Sequence, residues 1–204
     1  IYTLSLHDAL PILASLHRTG AHGLPLMGCG DWNDGMSRVG AAGKGESVWV
    51  AFFLCDLLPK MQQLTIMTPG ADLAYCEELT SFRSRLVDAL QHHAWDGNWF
   101  LRAFYDDGTP MGSRLSTECQ IDLISQAWSI LTDVATPEQK AVIMRETDAR
   151  LVNREHEIIQ LLTPPFTHKC LIAQLVIITK FARPCFVEAK IGRAVQPECR
   201  DRSR

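Results

Sequence analysis

The residues of this chain best equipped for chemistry are crowded into one stretch, "GCGDWNDGMSRVG", residues 28 to 40. Two carboxylates, Asp31 and Asp34, flank a Trp32–Asn33 pair, with glycines at 28, 30 and 35. Glycine lets the backbone adopt unusual angles and lets another molecule approach closely. An indole offers a flat apolar face of the kind that stacks on a sugar ring. Carboxylates and an amide beside it can hydrogen-bond hydroxyls, and a carboxyl in an apolar setting can have its pKa raised enough to act as a general acid. That set suits carbohydrate chemistry better than metal or nucleotide chemistry. The plainer alternative is an Asx-rich turn with its Trp plugged into the core, and residue types alone leave both open. "AWDGNWF", residues 94 to 100, carries a similar Trp-Asp-Gly theme, although Trp95 and Trp99 fit a structural role equally well.

Other signatures fail on spacing. The Gly28–Cys29–Gly30 start lacks the third glycine of a dinucleotide fingerprint, because Asn33 stands there. The run "GAAGKGE" is only loosely like a phosphate loop: Arg38 falls where the first glycine is needed, and Gly45 replaces the magnesium-binding Ser/Thr. Read as a calcium loop, "DWNDG" brings its glycine one position early and puts Ala42 at the twelfth position. His92 and His93 sit near an expected helix end and read as surface or loop residues. No metal site is expected.

These residues need a scaffold, and the composition describes a globular one. The chain has 204 residues, 47% hydrophobic and 21% charged, with a net charge of −3. That balance gives no electrostatic case for nucleic acid or for an anionic membrane surface. Seven cysteines, at 29, 55, 76, 119, 170, 185 and 199, form no C-x-x-C pair. Such a scattered, odd set reads as reduced thiols in a cytoplasmic protein. No run reaches the ~18 apolar residues of a membrane span.

Helices dominate the expected elements. "ESVWVAFFLCDLL", from Glu46 to about Leu58, is apolar on most sides and predicts a buried helix. Residues 71 to 94 predict an amphipathic helix, with Leu73, Cys76, Leu79, Phe82, Leu86 and Leu90 on one face. "WDGNWFLRAFYDDGTPMG" then alternates and turns, which predicts short strands in a hairpin-like excursion. Helical spacing returns through Ile121, Ile124, Trp128 and Leu131. Thr136, Pro137 and Gln139 form a helix start with a capping box, and "EIIQLLTPPF" predicts a short strand ended by Pro-Pro. The fold class is therefore mostly α, with elaborate loops at helix ends.

At this point the residues resemble a known family. "GAHGLPLMGCGDWNDGMSRVGAAGKGESVWVAFFL", then "WDGNWFLRAFYDDGTPMGS", "ECQIDLISQAWSIL" and "LLTPPF", are similar in order to the glycoside hydrolase family 94 domain. That family includes the C-terminal domain of bacterial cyclic β-1,2-glucan synthases and the cellobiose and chitobiose phosphorylases. The resemblance covers about residues 16 to 166 and implies part of an (α/α)6 barrel with short β excursions in its loops. It implies inverting phosphorolysis or processing of β-glucan, with no cofactor and with inorganic phosphate as co-substrate. The second aspartate of the family's D-W-N-D run is its general acid, which here is Asp34; Asp31, Trp32 and Asn33 would shape the sugar subsite. Arg38 and Lys44 fit either a substrate contact or a surface charge.

One carboxyl suffices for such a reaction. An inverting hydrolase needs a second carboxylate about 6.5–9.5 Å away to activate water, whereas phosphate is already an anionic nucleophile. The chain also departs from the family. After Phe166 it reads "THKCLIAQLVIITKFARPC", unlike the family's segment whose histidine helps hold phosphate. A full barrel needs about twelve helices, and this length holds about half of them at an average of ~11–12 residues plus loops. Residues 1–15 and 167–204 are accordingly expected to be non-native or unassigned tails, and the chain an incomplete domain. The partners expected are β-glucan oligosaccharide and phosphate, not nucleic acid, in a parent protein anchored to the membrane, if at all, by other segments. The competing expectations are an inverting hydrolase on the same barrel and a catalytically inert fragment.

Overall fold

A computed structural model describes residues 18–31 and 36–166. Four α-helices carry the architecture: α1 (Val48–Ile66), α2 (Leu73–Ala89), α3 (Leu123–Leu131) and α4 (Pro137–Leu151). Helix α1 packs against α2 and α3, and α3 packs against α4. The strands are two residues each and lie in the connections. β1 (Glu46–Ser47), β2 (Ala103–Phe104) and β3 (Pro110–Met111) form an antiparallel three-stranded sheet, pairing Ser47 with Ala103 and Ala103 with Met111. β4 (Ile121–Asp122) pairs with β7 (Leu162–Thr163), and β5 (Val152–Asn153) pairs with β6 (Ile158–Ile159). The mostly α fold class and the 103–111 hairpin are as expected.

Helix α1 is longer than its apolar run, because it continues through Pro59 to Ile66. Proline lacks the N–H that would bond the carbonyl one turn back. That carbonyl belongs to Cys55, and Arg83 of α2 donates to it from Nε at 3.0 Å. A neighbouring helix thus supplies the missing donor, which local sequence could not announce. On α2 the expected face is buried at Cys76, Leu79, Phe82 and Leu86, with Leu90 just beyond the helix. Leu73, at its first turn, is instead 66% exposed. The helix then loosens into a five-residue π-turn, Leu90–Ala94, which leaves His92 and His93 exposed.

Helix α3 departs furthest from expectation. Ile121 lies in β4, ahead of the helix, and Leu131 is exposed. The fully buried positions of α3 are polar: Ser125, Gln126 and Ser129. Gln126 explains the inversion. Its Oε1 accepts from Phe100 N at 2.9 Å, and its Nε2 donates to Phe100 O at 2.8 Å and Asp122 O at 3.0 Å. One side chain therefore satisfies both backbone groups of the buried Phe100 as a strand would. Thr136 caps α4 as expected, and the reciprocal Thr136–Gln139 bonds are both present. The segment 158–163 forms two strands in two separate ribbons rather than one.

A main core joins Phe52, Leu58, Leu79, Phe82, Leu86, Trp99, Phe100 and Ile143. Trp99 is wholly buried, and its Nε1 is shared between Gly112 O at 2.8 Å and Gln120 O at 2.9 Å. A second, smaller cluster of Met27, Met36, Val39, Ala103, Met111 and Cys119 lies against the sheet.

Candidate active site

The site is built around Arg102, the residue immediately before β2. Its backbone N donates to Met111 O at 2.8 Å, and its carbonyl accepts from Val48 N at 3.3 Å, so it is tied to β3 and to the start of α1. Gly112 stands so close that an added Cβ would meet Arg102 N at 2.5 Å. From this fixed base the side chain runs inward and is completely buried. Its two terminal nitrogens donate to the two oxygens of Asp31, each at 2.7 Å. This planar fork on a carboxylate is a geometry lysine cannot copy.

The Asp31 carboxylate is itself 1% exposed. It also accepts from Ser47 Oγ at 2.6 Å, and the same hydroxyl accepts from Val50 N to cap α1. On the other side of the guanidinium, Asp122 Oδ1 lies 3.7 Å from Arg102 Nε. Asp122 is fully buried and caps α3 by accepting from the N–H groups of Ile124 and Ser125. Burial pushes the Asp122 carboxyl up, while Arg102 and the two backbone donors pull it back only in part. Burial would lower the Arg102 pKa, but the hydrogen-bonded Asp31 and the charge of Asp122 outweigh it and hold the guanidinium above its usual value. Sequence reasoning missed Arg102, Ser47 and Asp122. Their partners lie 16 to 71 positions away along the chain, so no local spacing signals them.

Of the four residues expected to form the site, the structure describes Asp31; Trp32, Asn33 and Asp34 lie outside the described residues. The chain on either side of 32–35 is anchored. Asp31 is locked by Arg102, and Met36 is 3% exposed in the smaller core cluster. Gly28 and Gly30 have positive φ, 62° and 149°. The glycine run after the site has its own occupant. The N–H groups of Ala42, Lys44 and Gly45 each donate to the Asp106 carboxylate at 2.8 Å. Those backbone bonds, joined by the Lys44 charge, hold the Asp106 carboxyl below its ordinary value. The run that is only loosely like a phosphate loop thus cradles an anion, one borne by the chain itself. Arg38 and Lys44 are exposed. Arg38 borders a shallow hollow with Tyr105, Asp106, Asp107 and Thr109, where two carboxylates oppose an anionic ligand.

Trp99 is structural, filling the core as described, and Trp95 is half-buried beside Phe100. Among the described residues no group of His, Cys, Asp and Glu could hold a metal ion, and no helix is long and apolar enough to cross a membrane.

The described residues thus form a mostly helical scaffold in which Asp31 is held by a buried ion-pair network. Residues 3–185 match the model of the glycosyl hydrolase 94 superfamily, catalytic domain, and the chain belongs to that carbohydrate-active family. It is 42% identical over 159 residues to the cyclic beta-(1,2)-glucan synthase NdvB of Rhizobium meliloti, covering 78% of this chain and 6% of that protein. It is 39% identical over 125 residues to the 3-O-beta-D-glucopyranosyl-beta-D-glucuronide phosphorylase of Paenibacillus borealis, covering 59% and 16%. To the solabiose phosphorylase of the same organism it is 33% identical over 148 residues, covering 72% and 19%. The chain thus spans less than a fifth of the length of these relatives.

Proposed function

We propose that this chain is part of a family 94 catalytic domain, residues 16–166, that carries out inverting phosphorolysis or processing of β-glucan. The observation that carries the reading is the Asp31–Trp32–Asn33–Asp34 run, in a chain whose family relatives are a glucan synthase and phosphorylases. Asp34 is the proton donor. A phosphate oxygen bonds to the anomeric carbon from the face opposite the glycosidic oxygen, the carbon–oxygen bond to the leaving sugar breaks, and the Asp34 proton goes to the departing oxygen. Asp34 is reprotonated by the proton that the new sugar phosphate sheds. No second carboxylate is required. Trp32 and Asn33 line the sugar subsite. Asp31, with both oxygens turned to Arg102, forms the floor of that wall. The β-1,2 linkage is the one we assign to the substrate, on the strength of the 42% relative. The domain works in the cytoplasm on oligosaccharide and phosphate, without a cofactor.

The test is Asp34→Asn in the full-length protein, followed by release of glucose 1-phosphate. The expected loss is at least ~100-fold, the lower range of general-acid effects, with an unchanged circular dichroism spectrum. Retained activity removes Asp34 from the proton-donor role. Activity of the parental protein that is indifferent to phosphate would make it an inverting hydrolase instead.

A further inference from the structure

The hollow between the glycine run and the β2–β3 hairpin takes no part in the proton transfer. It measures about 330 Å³ and is lined by Arg38, Tyr105, Asp106, Asp107 and Thr109, a size at the lower end of small-molecule sites. Its walls are fixed before anything binds. Asp106 ties the hairpin to the glycine run through three backbone N–H groups, and its own N donates to Val39 O at 3.0 Å. The turn also closes on itself. Tyr105 N donates to Thr109 O at 2.9 Å, Gly108 N to Tyr105 O at 2.8 Å, and Thr109 N to Asp107 Oδ1 at 2.9 Å. The Tyr105 hydroxyl donates to Met111 Sδ at 3.5 Å and its ring packs on the smaller core cluster, so the aromatic wall is held as well. A preformed wall spares a ligand the cost of ordering it.

The charges across the hollow cancel. The Asp106 carboxylate is spent on the N–H groups of the glycine run and has the Lys44 charge beside it. That leaves the Asp107 carboxylate and the Arg38 guanidinium, one of each sign and both exposed. Such a pair favours neither an anion nor a cation. A hydroxyl suits both, because it donates and accepts at once, whereas a carboxylate only accepts and a guanidinium only donates. A carboxylate has several lone-pair sites, so Asp107 can accept from a ligand as well as from Thr109 N. A sugar ring carries hydroxyls on its edge and C–H groups on its face, and the electron-rich face of a tyrosine complements the latter.

We propose that this hollow is a subsite for one glucosyl unit of a neutral glucan, which lies against Tyr105 with its hydroxyls shared between Arg38 and Asp107. This rests on the β-glucan reading of the chain and involves none of residues 32–35.

The test is protection from labelling in the full-length protein. Arg38 is modified with phenylglyoxal and Asp107 with carbodiimide and glycine ethyl ester, each with and without a β-1,2-linked glucooligosaccharide, and the modified peptides are quantified by mass spectrometry. At about four times its dissociation constant the oligosaccharide should slow labelling of both residues about fivefold, by mass action. Asp148 on α4, 53% exposed, keeps its rate and serves as the internal reference. Inorganic phosphate in place of the oligosaccharide leaves Arg38 and Asp107 unprotected. Arg38→Ala, an exposed change that the fold tolerates, should raise the oligosaccharide concentration needed to protect Asp107 about tenfold, the lower range for losing a hydrogen bond to a charged group. Equal labelling with and without oligosaccharide, in a protein that releases glucose 1-phosphate from it, overturns the subsite and leaves the phosphorolysis reading standing. Protection without that release does the reverse, and the absence of both overturns both. Protection by phosphate alone makes the hollow an anion site and overturns the proposal, as does protection of Asp107 that Arg38→Ala leaves unchanged.

Discussion

Cys55 and Cys29 show how differently the same side chain behaves at two depths. Cys55 lies 1% exposed in the main core, and burial pushes its thiol up to about 12, with Arg83 opposing only weakly. Cys29 is exposed on the loop before Asp31. The thiolate is the reactive form, so iodoacetamide at pH 8 should modify Cys29 and leave Cys55 untouched until denaturant is added. Mass spectrometry of the native protein checks this, and early labelling of Cys55 would mean that the core around α1 opens. The sequence supplied the cysteine count but not this contrast. Asp31 and Asp34 make the same point. They look alike three residues apart, and only the fork from Arg102, 71 positions away, marks Asp31 as a buried anchor.

At the scale of elements, the glycine run and the β2–β3 hairpin hold each other through one carboxylate. Asp106 accepts three backbone N–H bonds, so its folded-state pKa is depressed. A depressed carboxyl stabilises the fold above its unfolded value, near 3.9, and that contribution is lost as pH falls through the lower folded value. A carbon-detected titration should place the Asp106 midpoint below the ordinary carboxylate range. At neutral pH, Asp106→Ala should speed amide exchange at Ala42, Lys44 and Gly45 while leaving α4 protected; unchanged exchange would show that the loop keeps its shape without the hairpin. The legibility of elements followed how local their causes are. The start of α4 was fully readable, because Thr136, Pro137 and Gln139 cap it within four residues. The passage of α1 through Pro59 was not, because the compensating donor comes from Arg83 on another helix. The buried polar face of α3 was hidden for the same reason, since Gln126 serves a backbone segment 26 residues away.

Among the described residues all four helices contribute to the larger of the two cores, from Phe52 on α1 through Leu86 on α2 and Trp128 on α3 to Ile143 on α4. Phe52 is fully buried, edge-on to Phe100 at 5.1 Å between centroids. Phe52→Ala should cost about 3–5 kcal/mol, seen as a lower urea midpoint with an unchanged slope; a loss below ~1 kcal/mol would mean that the α1 face is loosely packed. Leu64, Ile66, Met67 and Leu73, around the α1–α2 connection, remain exposed. By itself the sequence determined the mostly α class, the amphipathic face of α2, the cap of α4, the hairpin and the family, because short periodic patterns and contiguous motifs encode these. Tertiary structure alone decided that Asp31 is an internal anchor, that the glycine run cradles Asp106, and that Arg102 lies at the centre of the site. Each of those depends on a side chain paired with a group 61 or more positions distant, and only folding brings such groups within hydrogen-bonding distance.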